Sequence, residues 1–81
     1  MKDFILVQEY NVEHKQSFNH AINRNCILQV ISMPPETITE ENPTTCVMTL
    51  MVSGQPQNLM IIDSYESVVA QLNGSPIESA N

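Results

Sequence analysis

Apolar and polar residues alternate along this chain in short blocks, and the block lengths suit strands better than helices. Residues 4–10, Phe-Ile-Leu-Val-Gln-Glu-Tyr, pass from a continuous apolar run into alternation and are rich in β-branched and aromatic types, so they predict a strand. A polar stretch with turn formers follows at residues 11–17, and residues 18–22 read as a short returning strand. Asn23-Arg24-Asn25 predicts a turn, and residues 26–33 a third strand that Pro34-Pro35 ends. Residues 44–52, Thr-Thr-Cys-Val-Met-Thr-Leu-Met-Val, are the clearest strand in the chain. A turn is expected over residues 53–57, with Gly54 free to take a positive φ, and residues 58–62 complete a second hairpin.

Only one segment carries helical spacing. Tyr65, Val68, Val69 and Leu72 recur at i, i+3, i+4 and i+7, which makes a single apolar stripe. Asp63 stands where an N-cap is wanted, with Ser64 as the alternative, and Glu66 three residues after Asp63 completes a pattern like a capping box. Asn73-Gly74 stops the helix, with Gly74 in the left-handed cap position and Pro76 beyond it. The predicted fold is therefore α+β: a small, mainly antiparallel sheet of about five strands, able to curl into a partial barrel, with one C-terminal amphipathic helix. Residues 1–74 form the single domain and residues 75–81 a frayed polar tail.

Three strands are apolar on both faces. In residues 45–52, Cys46, Met48, Leu50 and Val52 share one face, while Val47 and Met51 flank Thr49 on the other. Leu59 and Ile61 oppose Met60 and Ile62, and Leu28 and Val30 oppose Ile27 and Ile31. A helix of about ten residues, roughly 15 Å long, covers only part of one face. Sheet closure or a second chain must bury the rest, because an exposed apolar patch of that size is an aggregation liability. The expected partner is a second copy, most simply in a dimer, with Val47, Met51, Met60 and Ile62 as the candidate interface. Met33, Met48, Met51 and Met60 lie on or beside the strands, and methionine serves both cores and adaptable interfaces.

Charge narrows the choice of partner. Nine acidic residues against Lys2, Lys15 and Arg24 give a net charge of −6, so the chain cannot neutralise several phosphates and a nucleic acid is not expected. No run reaches the ~18 apolar residues of a membrane span. The opening apolar stretch is too short for a signal peptide, which points to the cytoplasm. The loop over residues 34–43 is bounded by prolines and carries Glu36, Glu40 and Glu41; it reads as exposed and mobile, either a tolerated insertion or a recognition loop.

Candidate chemistry is sparse. Cys26 and Cys46 form no Cys-x-x-Cys pair and sit in apolar strand patterns, so they read as buried free thiols. His14, His20 and Cys26 recur every six residues, but extended chain separates such positions by ~20 Å, too far to share one metal. The irregular spacing of the acidic residues does not make a calcium loop. The two glycines, Gly54 and Gly74, have structural explanations, so no phosphate-binding loop is encoded. Neither a nucleophile elbow nor a zinc-protease motif is present, and the histidines read as loop or surface residues. No catalytic residue, metal or cofactor is expected. The expected function is that of a non-enzymatic protein-interaction module. The alternative is a small-ligand-binding or enzyme domain with a pocket between helix and sheet.

From about residue 21 to residue 72 the layout resembles the flagellar-operon FlbD family and small uncharacterised bacterial or phage proteins of similar form. The resemblance rests on Ile22-Asn23, a short turn, Ile27-Leu28-Gln29-Val30, a threonine-rich hairpin around Gly54, and Asp63-Ser64-Tyr65-Glu66-Ser67-Val68-Val69. The N-terminal strand and the proline-flanked loop stand outside it. It implies a strand hairpin followed by a capped helix in a small non-enzymatic bacterial protein, and it carries no functional residue onto this chain.

Overall fold

The computed structural model describes residues 3–74; the tail expected over residues 75–81 lies outside the described residues. Five strands and one helix follow in the order β1 (Phe4–Asn11), β2 (Gln16–Asn23), β3 (Ile27–Ser32), β4 (Cys46–Val52), β5 (Gln55–Ile61) and α1 (Tyr65–Leu72). Single 3₁₀ turns at Arg24–Cys26 and Pro35–Thr37 flank β3. The strands form one open antiparallel sheet in the order β2-β1-β5-β4-β3. This is the α+β architecture that the hydrophobic pattern predicts.

The connection from β2 to β3 shapes the sheet. These are its two edge strands, yet only the three residues Arg24–Cys26 join them. Four Cα steps span at most about 15 Å, whereas the edges of a flat five-stranded sheet stand about 19 Å apart. The sheet must curl at that end. Helix α1 lies across the concave side, packed against β1 and β3. The core is Ile5, Val7, Ile22, Cys46, Met48, Leu50, Leu59, Ile61 and Val68, with Ile27, Val30, Tyr65 and Leu72 packed around it. Cys46 opposes Ile61 and Met48 opposes Leu59 across the β4–β5 ladder, so the inward faces of these two strands meet as the alternation requires.

Several local expectations need correction. The turn of the second hairpin is only Ser53-Gly54; φ values of +51° and +80° mark a two-residue type I′ turn, whose twist matches that of the strands. Strand β5 therefore begins at Gln55 and contains Pro56, opposite Met51. A proline is tolerated there because β1 pairs with β5 only at Glu9 and Ile61, which leaves the far end of β5 without a partner for the missing N–H. At the other hairpin, Lys15 takes a positive φ of 53° and Asn11 accepts a bond from the His14 N–H, so β2 starts at Gln16 rather than Phe18.

Strand β3 changes phase. Ile27 pairs with Leu50 while Gln29 pairs with Thr49, so Leu28 is an extra residue in a β-bulge. Ile27 and Val30 consequently face the core together, and Leu28 and Ile31 face outward, not Leu28 with Val30 as simple alternation requires. Cys26 lies in the 3₁₀ turn before β3, half-buried instead of buried in the strand. Strand β4 starts at Cys46; Thr44 bonds back to Asn42 in the preceding loop, Thr45 bonds the carbonyls of Ile61 and Asp63, and Val52 at the hairpin end is exposed despite its inward phase.

The helix begins later than expected, and its N-cap is Ser64. The Ser64 Oγ accepts from the Ser67 N–H at 3.1 Å, which puts Glu66 at the second helical position and outside any capping box. Asp63 turns to β1 instead, and its Oδ1 accepts from the Gln8 N–H at 2.6 Å. At the other end the helix stops as expected, with Gly74 at φ +79°. There Arg24 donates to the carbonyls of Gln71 and Leu72 at 3.0 and 3.3 Å, tying the β2–β3 turn to the helix C-terminus.

Candidate interface on the outer sheet face

With α1 on the concave side, the convex face of β3, β4 and β5 has no layer over it among the described residues. None of these three strands contains a charged residue. Their outward side chains fall into rows set by register. Ile31 opposes Val47, and Val47 opposes Met60, so these three form an apolar row across the sheet. Two residues along, Gln29, Thr49 and Asn58 form a second row, and Met51 beside Pro56 contributes to a third.

The middle row is hydrogen-bonded in one direction. Gln29 Nε2 donates to Thr49 Oγ1 at 3.3 Å, and Thr49 Oγ1 donates to Asn58 Oδ1 at 2.8 Å. Thr49 is buried, although it points outward, because the two amides close over it. A buried hydroxyl needs such partners, and here the neighbouring strands supply both.

Three of the four residues expected at the interface share this face. Val47 is half-buried, while Met51 and Met60 are 39% and 38% exposed. Ile62 has the right phase but lies beyond the end of β5; it is half-buried, and its N–H donates to the Gln8 carbonyl at 3.0 Å. The structure adds Ile31, 50% exposed, and Leu28, 55% exposed, the latter placed outward by the bulge. The methionines divide between roles: Met48 is fully buried, whereas Met51 and Met60 lie on the outer face.

The acidic loop has internal order. Thr37 bonds Pro34 through both its N–H and its hydroxyl, Thr39 and Asn42 bond each other, and Asn42 Oδ1 accepts from Thr44. The Tyr10 hydroxyl donates to the Glu41 carbonyl at 3.2 Å, which draws the loop from the β3–β4 end across to β1. Glu36, Glu40 and Glu41 are exposed as expected, and they converge on no common group.

The remaining chemistry is dispersed. His20 Nδ1 lies 3.0 Å from Glu9 Oε1 in an exposed pair on the first hairpin. An open depression of about 430 Å³ lies beside β1 and β2, lined by Leu6, Val7, Gln8, Asn19, His20, Ala21 and Asp63. Its polar side chains have partners already: Gln8 Nε2 donates to Asn19, Asp63 accepts from the Gln8 N–H, and His20 pairs with Glu9. The depression therefore lacks the convergent free polar groups that orient a ligand. Among the described residues no group of three or more metal-ligating side chains comes together. Cys46 is fully buried, with its Sγ 3.7 Å from the Asp63 carbonyl, and burial pushes its thiol pKa up. Cys26 and Cys46 are both free.

No family model, no curated protein and no solved structure matches this chain. No helix among the described residues is long and apolar enough to cross a membrane.

Proposed function

We propose that this protein is a non-enzymatic, homo-oligomeric protein-interaction module that self-associates through the outer face of β3, β4 and β5. The observation that supports this reading is the uncharged, partly apolar outer face on a chain of net charge −6. An uncharged face lets two copies of this acidic chain meet without setting like charges together, and an interface core depleted of charge is what association favours. Met51 and Met60 give such a face the adaptability of unbranched side chains. Two free thiols fit a reducing, cytoplasmic setting. A nucleic-acid role finds little support, because Arg24, one of three cations, is occupied with helix carbonyls.

Light scattering across a concentration series tests the reading. The expected mass is twice 9.1 kDa or a higher multiple. A mass of 9.1 kDa at every concentration would overturn it.

A further inference from the structure

The polar row at the middle of the outer face has a direction. Gln29 donates to Thr49 and Thr49 donates to Asn58, so the row ends with an acceptor, Gln29 Oε1, on β3 and a donor, Asn58 Nδ2, on β5. Thr49 lies between them on β4, the strand that separates β3 from β5. A two-fold rotation about an axis along β4 exchanges the β3 and β5 positions. It would set the acceptor end of one row against the donor end of the other.

Resting on the self-association proposed above, we infer that the partner is a second copy of this chain, packed face to face about a two-fold axis running along β4. In this arrangement Gln29 of each copy meets Asn58 of the other, and the Thr49 residues face each other across the axis. In the adjacent apolar row Ile31 meets Met60 and Val47 meets Val47. Further along β4, Met51 meets Met51. Every row is thus matched in kind, apolar on apolar and donor on acceptor. A two-fold interface requires this, because the same patch serves both subunits. Two sheets packed in this way keep their strands within about 30° of each other, so residues next to Thr49 on β4 remain close to the axis.

Residues on the axis meet their own copies, and this gives a test. Val47→Glu and Val47→Lys should each be monomeric, because each brings like charges together. An equimolar mixture should restore a heterodimer at twice the monomer mass, read by light scattering and native mass spectrometry. Met51→Glu and Met51→Lys should repeat the pattern, and circular dichroism checks that each variant keeps its sheet. If the wild type is dimeric and either glutamate variant stays dimeric while folded, this face is not the interface. If all four variants are folded monomers and neither mixture restores a dimer, the axis does not run along β4. A monomeric wild type would instead overturn the self-association on which the inference rests.

Discussion

The side-chain amide of Gln71, in the last turn of the helix, bonds both backbone groups of Leu6 in β1. The Leu6 N–H donates to Gln71 Oε1 and Gln71 Nε2 donates to the Leu6 carbonyl, each at 2.8 Å. This is the pair of bonds that a neighbouring strand would make. Strands β1 and β5 pair only at Glu9 and Ile61, so the edge of β1 at Leu6 and Gln8 has no strand beside it. Gln71 takes the place of the strand at Leu6, and Asp63 accepts from the next outward N–H, that of Gln8. Gln71→Ala should therefore destabilise the fold by about 1–2 kcal/mol, given about 0.5–1.5 kcal/mol for a typical hydrogen bond. Gln71→Glu should cost at least as much, because it sets a carboxylate oxygen against the Leu6 carbonyl. Urea midpoints give the energies, and faster hydrogen exchange at the Leu6 amide should accompany the loss.

Ser64, the alternative that the sequence pattern offers, caps the helix, and Asp63 holds β1 instead. Ser64→Ala removes the helix cap and should cost about 0.5–2 kcal/mol. Asp63→Ala removes a bond between a carboxylate and a backbone N–H, for which about 1.5–3 kcal/mol is typical; access of water to the site lowers that figure. The two variants should differ in where they act. Ser64→Ala should speed amide exchange at Ser67, whereas Asp63→Ala should speed it at Gln8. Faster exchange at Ser67 in Asp63→Ala, with Gln8 unchanged, would restore Asp63 as the cap.

The two thiols should separate by reactivity. A bulky thiol reagent should modify half-buried Cys26 under native conditions and reach fully buried Cys46 only on unfolding. Burial raises the pKa of Cys46 above its unfolded value, chiefly by desolvating the thiolate. Above about pH 8.5 the unfolded thiol loses its proton while the folded one keeps it. The unfolded state then binds fewer protons, so stability falls as pH rises through that value and toward the folded pKa. Cys46→Ala should lose that part of the alkaline decline, as denaturant midpoints at pH 7 and pH 9.5 would show. Equal labelling rates for both native thiols would contradict the burial difference.

Local patterns in the sequence were enough for the class of fold. Strands over most of β1, β4 and the end of β5, a single capped helix and the glycine stop are all set by side-chain period and by the backbone preferences of Pro, Gly and Ser, which act within a few residues. The candidate face was legible for the same reason: Val47, Met51 and Met60 alternate with core residues on their own strands. Other features depend on contacts between segments far apart in the chain. The sequence does not say that β5 stands between β1 and β4, so Asp63 could not be seen to cap β1 instead of its own helix. The Leu28 bulge is a mismatch in length between two strands, and it moved Ile27 inward and Leu28 outward with no local cue. The row from Gln29 through Thr49 to Asn58 exists only when three strands lie side by side in one register, and that is a tertiary fact.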